Sequence, residues 1–144
     1  MSVAPTAVAV IGSGTMGNGI AQVLAQRGRP VTLVDVDQAR LDAARKGIEG
    51  SLQRVAKKGG LPEAEIPAIL QRIRGSTRLA DAATAGLVIE AVSEDRELKA
   101  RLLAELDREA SPSTILATNT SSISITWLAG RTRRPDRVIG MHFM

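Results

Sequence analysis

Cysteine and tyrosine are absent from the 144 residues, and tryptophan, phenylalanine and histidine occur once each. Without cysteine there are no disulfides and no thiolate metal sites, no metal is expected, and a cytoplasmic home fits. Trp127 and Phe143 are the only aromatics, so almost nothing is available to stack on bases and a nucleic-acid partner is not expected. The core has to be built from Val, Ile, Leu and Ala, as in parallel sheets covered by helices. No apolar run approaches membrane-spanning length, and residues 1–10 lack the basic segment of a signal peptide. No membrane partner is expected. The net charge of +4 reads first as an Arg-rich solvated face, although it would suit an anionic ligand. At this length one domain with a real core is expected.

What is present is concentrated in residues 6–35. An apolar run, 7–11, passes directly into Gly12-Ser13-Gly14-Thr15-Met16-Gly17. A helical pattern follows through Ile20, Val23 and Leu24, and a β-branched run, 31–34, closes on Asp35. Strand, glycine turn, helix, strand and acid stand in the order a dinucleotide site requires. Gly12 permits the tight turn, Gly14 lets backbone approach a pyrophosphate, and Gly17 lets the helix pack close to the strands. Unpaired N–H groups of the first helical turn then hold the diphosphate. Asp35, 18 residues after Gly17, is placed to accept both adenosine-ribose hydroxyls. A 2′-phosphate there would face Asp35 and Asp37 with no basic residue between them, so the expected cofactor is NAD rather than NADP.

Further along, Asp37 caps a predicted helix to about Lys58, with Leu41, Ala44, Ile48, Leu52 and Val55 on one face. Pro62 starts a second helix with Ile66, Ile69, Leu70 and Ile73 inward, stopped by Arg74-Gly75. This pair is expected to stand away from the sheet as an antiparallel helical hairpin. Residues 75–78 read as a short strand, 81–85 as a brief helix and 87–92 as a buried strand. A helix over 96–109 turns Leu98, Leu102, Leu103 and Leu106 inward. A core strand at 115–118, a short helix at 123–128 and a last strand at 138–141 complete the chain. Strands alternating with helices imply an α/β fold, a doubly wound, mostly parallel Rossmann-type sheet with one helical-hairpin excursion.

In such a sheet, ligands bind beyond the carboxyl ends of the strands. The residues there are Gly12 to Gly17, Asp35, Ser93-Glu94, Asn119 to Ser122 and His142. Hydride transfer from a secondary alcohol to a nicotinamide needs a base for the hydroxyl proton, and an imidazole titrating near neutrality suits that work. Ser121 is placed to hydrogen-bond the same oxygen and Asn119 to help place the nicotinamide. The plainer role of Asn-Thr-Ser-Ser is to cap the helix starting at Ile123.

The stretches VAVIGSGTMGNGIAQVLAQRG, VTLVDVD, SLQRVAKK, VIEAVSED, ATNTSSISIT and DRVIGMHFM resemble the L-3-hydroxyacyl-CoA dehydrogenases, 3-hydroxybutyryl-CoA dehydrogenases included. The resemblance implies that His142 is the catalytic base and that Ser121 lies between nicotinamide and substrate oxygen. It places Gly12, Ser13, Gly14, Thr15, Met16, Gly17, Asp35, Glu94 and Lys99 around NAD. It sets Ser51 and Lys58, with Ser121, against an acyl-CoA substrate. By spacing alone, Glu94 and Lys99 pass as a solvated ion pair and Lys58 as a helix-terminal cation. Family members continue into Asn-Pro, a glutamate that orients the histidine, and a helical domain with most of the dimer contact. Residues 1–144 are therefore expected to be the NAD-binding domain of a longer, homodimeric enzyme, with little turnover alone. Rival readings are a dehydrogenase of a free hydroxy acid and a non-catalytic NAD-binding module.

Overall fold

The two apolar runs flanking the glycine turn are neighbours in the sheet. Strand β1 (Val8–Ile11) pairs in parallel with β2 (Val31–Val34), Val8 opposite Val31 and Ile11 opposite Val34. The structure, a computed structural model, describes residues 7–143; the predicted lack of a leader over the first six residues, and Met144, lie outside them. Between β1 and β2 runs α1 (Thr15–Gln26), and after β2 come α2 (Gln38–Lys57), α3 (Ile66–Gln71) and β3 (Ile73–Ser76). The second half comprises β4 (Leu87–Glu90), α4 (Arg96–Glu109), β5 (Ile115–Thr118), α5 (Ile125–Ala129) and β6 (Val138–Gly140). The six strands are all parallel, in the order β3-β2-β1-β4-β5-β6. Chain order reverses between β1 and β4, which is where a doubly wound sheet opens its ligand crevice. Among the described residues no helix is long and apolar enough to cross a membrane.

Both faces of the sheet are covered, as the apolar alternation along β1 shows. Val8 and Val10 join Ile20, Leu41, Ala44, Ile48, Leu52, Ile66 and Ile69 in one core layer. Ala9 and Ile11 join Leu103, Leu106, Leu116 and Leu128 in the other. That first layer corrects the expectation of a detached hairpin. Helix α2 packs against α1, α3 and β3 and buries four residues in that layer.

Several boundaries also differ. Ile73, expected on a helix face, instead opens β3 opposite Val31, so that strand runs over 73–76 rather than 75–78. A buried β-branched residue fits either period, and the free ladder of β2 decides. The brief helix at 81–85 is a 3-10 turn, Leu79–Ala82. Helix α5 starts two residues late because Ser124, whose hydroxyl accepts from Trp127 N–H at 3.1 Å, is its cap.

Candidate functional site

All strands point the same way, so every strand-end residue singled out from the sequence arrives on one edge. Along that edge β2 presents Asp35, β1 the glycine turn, β4 Glu94, β5 Asn119 to Ser121, and β6 His142. With strands about 4.8 Å apart, β2 and β6 are separated by roughly 19 Å.

The glycine turn floors a cleft of about 560 Å³ lined by residues 11–16, Asp35, Val36, Arg40, Thr77, Leu79, Leu98 and Leu102 among others. Gly12 has φ +102°, and a Cβ there would meet the Ala91 carbonyl oxygen at 2.7 Å. A Cβ on Gly17 would fall 1.7 Å from the Gly12 carbonyl oxygen. The close approach expected of Gly17 is therefore mainly to the turn itself, with Val10 next at 3.7 Å. At Gly14 a Cβ would meet nothing within 4 Å, leaving space for a ligand against bare backbone. Helices α2 and α4 are capped by the carboxylates of Asp37 and Asp95, whereas α1 begins at Gly14 with no side-chain cap and no acid in its first turn. Its leading amides are available to an anion. These features fit a dinucleotide diphosphate.

Asp35 fits the ribose. Its Oδ2 accepts from Ser13 N–H at 2.8 Å and from the Ser13 hydroxyl at 2.5 Å, and its Oδ1 accepts from Val36 N–H at 2.6 Å. Burial pushes the carboxyl up, but those hydrogen bonds and the charge of Arg40 outweigh it and hold the group below the usual carboxylate range. The acceptor thus stays ionised throughout the neutral range. NADH affinity is expected to be flat from pH 8 to about 5 and to fall only below about pH 4, as Asp35 protonates. A titration series in which affinity drops already between pH 7 and 6 would contradict this role.

Arg40 was missed. The sequence shows no base between Asp35 and Asp37, but one turn of α2 brings the Arg40 guanidinium to 3.8 Å from Asp35 and 3.6 Å from Asp37. Both contacts belong to the i+3 to i+5 geometry of a helix start and were readable from the cap at Asp37. Leu98 and Leu102, expected in the core, are half-buried and line the cleft with Leu79; they offer an apolar wall to a flat ring.

At the other end, Glu94 accepts from the Thr120 hydroxyl at 2.6 Å, from Ser121 N–H at 3.2 Å and from the Ser121 hydroxyl at 3.3 Å. Burial raises its carboxyl, but these bonds and the Lys99 ammonium hold it below the ordinary range. Asn119 Oδ1 accepts from Phe143 N–H at 2.8 Å, which ties the end of β5 to the segment carrying the exposed His142. Thr120 Oγ1 accepts from Ile123 N–H at 3.1 Å, so the Asn-Thr-Ser-Ser turn folds on itself rather than capping α5. Lys99 is no solvated partner of Glu94. It is 2% exposed and sits 2.5 Å from Glu90 Oε2, with Glu94 at 3.6 Å. Glu90, buried at the end of β4, carried no sequence signal beyond being an acid in an apolar run. Ser51, half-buried, and Lys58, exposed at the end of α2, do not line the cleft.

Comparison with known proteins gives a consistent picture. The family of the 3-hydroxyacyl-CoA dehydrogenase NAD-binding domain matches residues 7–144. A probable 3-hydroxybutyryl-CoA dehydrogenase of Bacillus subtilis is 44% identical over 95% of this chain and 48% of its own length. The 3-hydroxyadipyl-CoA dehydrogenase of Escherichia coli is 46% identical over 94% of this chain and 29% of its own length. The crystal structure of (S)-3-hydroxybutyryl-CoA dehydrogenase from Ralstonia eutropha superposes with a TM-score of 0.95 at 44% identity, covering 98% of this chain and 50% of that one. The chain thus spans half or less of the length of these relatives.

Proposed function

The chain belongs to the 3-hydroxyacyl-CoA dehydrogenase family, as its NAD-binding domain, and from that premise we propose that it serves the interconversion of (3S)-3-hydroxyacyl-CoA and 3-ketoacyl-CoA. The observation that supports this most is the order of groups on the carboxyl edge. Asp35, the glycine turn, the Glu94–Ser121 pair and His142 follow one another across adjacent parallel strands. A dinucleotide held by Asp35 at its ribose and by the α1 amides at its diphosphate leaves its nicotinamide end for the β5–β6 side.

Bound NAD supplies the hydride acceptor. His142 takes the 3-hydroxyl proton on a ring nitrogen. The Ser121 hydroxyl hydrogen-bonds the same oxygen, and Asn119, its Oδ1 already engaged by Phe143 N–H, keeps its amide N–H groups for the nicotinamide side. Glu94 and Lys99 support that end of the cofactor, while Ser51 and the exposed Lys58 of α2 meet the coenzyme A nucleotide. The reading also takes the enzyme to be cytoplasmic, in keeping with the lack of cysteine, and homodimeric through the family's helical domain, as the resemblance implies. Among the described residues nothing hydrogen-bonds or ion-pairs with the His142 imidazole. Slight turnover by residues 1–144 alone is therefore expected, since a base of this kind draws on a carboxylate partner.

Because His142 is the single histidine, its imidazole gives one assignable signal in a carbon–proton NMR spectrum. Addition of acetoacetyl-CoA to the NADH-saturated chain is expected to shift that signal, and free acetoacetate at equal concentration to leave it in place. A signal unmoved by acetoacetyl-CoA at full NADH occupancy would remove the substrate assignment; equal response to both would favour a free hydroxy acid.

A further inference from the structure

Glu90 ends an apolar strand, Leu87-Val88-Ile89, yet its carboxylate has no exposed surface and both oxygens are in use. Oε1 accepts from the Thr118 hydroxyl of the neighbouring strand at 2.6 Å. Oε2 accepts from Val92 N–H at 2.9 Å and from Lys99 Nζ at 2.5 Å. Lys99, reaching in from α4, also donates to the Val92 carbonyl at 3.0 Å and lies 3.6 Å from Glu94 Oε1. Glu94 in turn receives the Ser121 hydroxyl and the Thr120 hydroxyl. A line of carboxylate, ammonium and carboxylate therefore runs from the interior of the sheet to Ser121.

Stability alone does not account for it. Desolvating a lysine and a glutamate costs about as much as their attraction returns, and apolar replacements of equal volume are often neutral or better. Such a pair does fix geometry, because an unpaired charge at either position would be strongly unfavourable and only one arrangement satisfies both. Here the arrangement spans the β4–α4 turn that carries Glu94. The Ser121 hydroxyl and N–H, both bonded to Glu94, are thereby held in direction.

We propose that Glu90 is a positioning residue: through Lys99 it holds Glu94 in place, and Glu94 fixes the Ser121 side chain where it meets the substrate oxygen. This rests on the dehydrogenase reading, in which Ser121 meets the substrate's 3-oxygen. Glu90 touches neither substrate nor cofactor and acts only through the line of charges.

The test is a mutant cycle in the whole chain between Ser121→Ala and the paired replacement Glu90→Gln with Lys99→Met. The glutamine can still accept from Val92 N–H and donate to the Thr118 hydroxyl, while both charges are gone. The paired variant is expected to melt within about 5 °C of the parent; because Lys99 belongs to the nicotinamide end, NADH affinity is measured for every chain and the cofactor is kept saturating throughout. The paired variant's affinity for a saturated 3-hydroxyacyl-CoA, (3S)-3-hydroxybutyryl-CoA, in the presence of NADH should fall about tenfold or more. Ser121→Ala should cost a similar factor in the parent and almost nothing further in the paired variant. Independent, multiplying effects would overturn the proposal, as would unchanged substrate affinity. Should the paired variant not fold, Thr118→Val, which frees one oxygen of Glu90, enters the same cycle, and the absence of coupling to Ser121 has the same consequence. If the parent binds NADH but no 3-hydroxyacyl-CoA, the dehydrogenase reading fails before any variant is made, and this inference fails with it.

Discussion

Alanine at Gly17 is expected to abolish measurable NADH binding and to lower the melting temperature by about 10 °C or more. The added Cβ would sit 1.7 Å from the Gly12 carbonyl oxygen and 2.8 Å from its carbon, far inside van der Waals contact. Gly12 has nowhere to go. Its N–H is bonded to the Val34 carbonyl at 2.8 Å, and its own face is pressed against the Ala91 carbonyl. The whole of α1 has to withdraw, and its leading amides leave the position where a diphosphate would meet them. A strained or displaced element of this kind costs about 3–4 kcal/mol, which for a domain of this size is about 10 °C. Gly14→Ala is the contrast, because its methyl enters open space. Its melt should stay within about 2 °C of the parent while NADH affinity drops about tenfold or more. Calorimetry and a fluorescence titration separate the two. A Gly17→Ala chain that melts with the parent would mean that α1 is not seated on the turn. A Gly14→Ala chain that binds NADH normally would mean that the diphosphate lies elsewhere.

Arg134→Met should be strongly destabilising although it lies outside the cleft. The expectation of an Arg-rich solvated face fails at this residue, which is buried. Its Nε donates to Asp107 Oδ1 at 2.6 Å, Nη1 to the carbonyls of Ser111 and Thr114 at 2.6 and 2.9 Å, and Nη2 to those of Asp107 and Ala110 at 3.0 and 3.2 Å. All five guanidinium N–H groups thereby meet an acceptor, among them the carbonyls of Asp107 in the last turn of α4 and of its cap, Ala110. Removing the cation leaves four carbonyls without their donor and the buried Asp107 carboxylate with Arg133 alone, a loss of about 3–5 kcal/mol or about 10–15 °C in melting temperature. Lysine should recover little, since one ammonium cannot serve five divergent acceptors. NADH affinity well below the melt should stay within threefold, because none of these groups lines the cleft.

The same contact has a pH signature. Burial raises the Asp107 carboxyl, but the Arg133 N–H and the Arg134 guanidinium hold it below the usual range. The folded value is the lower one, so this stabilisation is complete above the unfolded value of about 3.9 and is lost as pH falls through the folded one. The melting gap between parent and Arg134→Met should therefore narrow below about pH 4. A gap that widens on acidification, or a variant that melts with the parent at pH 7, would contradict the role assigned to Arg134.

Much of the architecture is written in local pattern. The runs at 8–11 and 31–34, the glycine spacing and Asp35 are properties of neighbouring residues, and they suffice for strand, turn, helix and acid. Once the strands are parallel, everything that follows a strand arrives on one edge, so the sequence alone puts His142, Asn119, Ser121 and Glu94 there. The difference between a helix face and a strand at Ile73 was not legible, since a single buried β-branched residue fits both periods.

What only the tertiary structure decided is where charged side chains go once the backbone is laid down. Lys99 looked like a surface partner of Glu94 five residues away, but it turns inward to Glu90, nine residues away. Arg134 looked solvated in an Arg-rich run, yet its acceptors lie 20 to 27 residues back along the chain. Periodicity determined the elements and their order because backbone hydrogen bonding is short-range and regular. The partners of a buried charge depend on which distant segments the sheet brings within about 3 Å, and no local spacing encodes that distance.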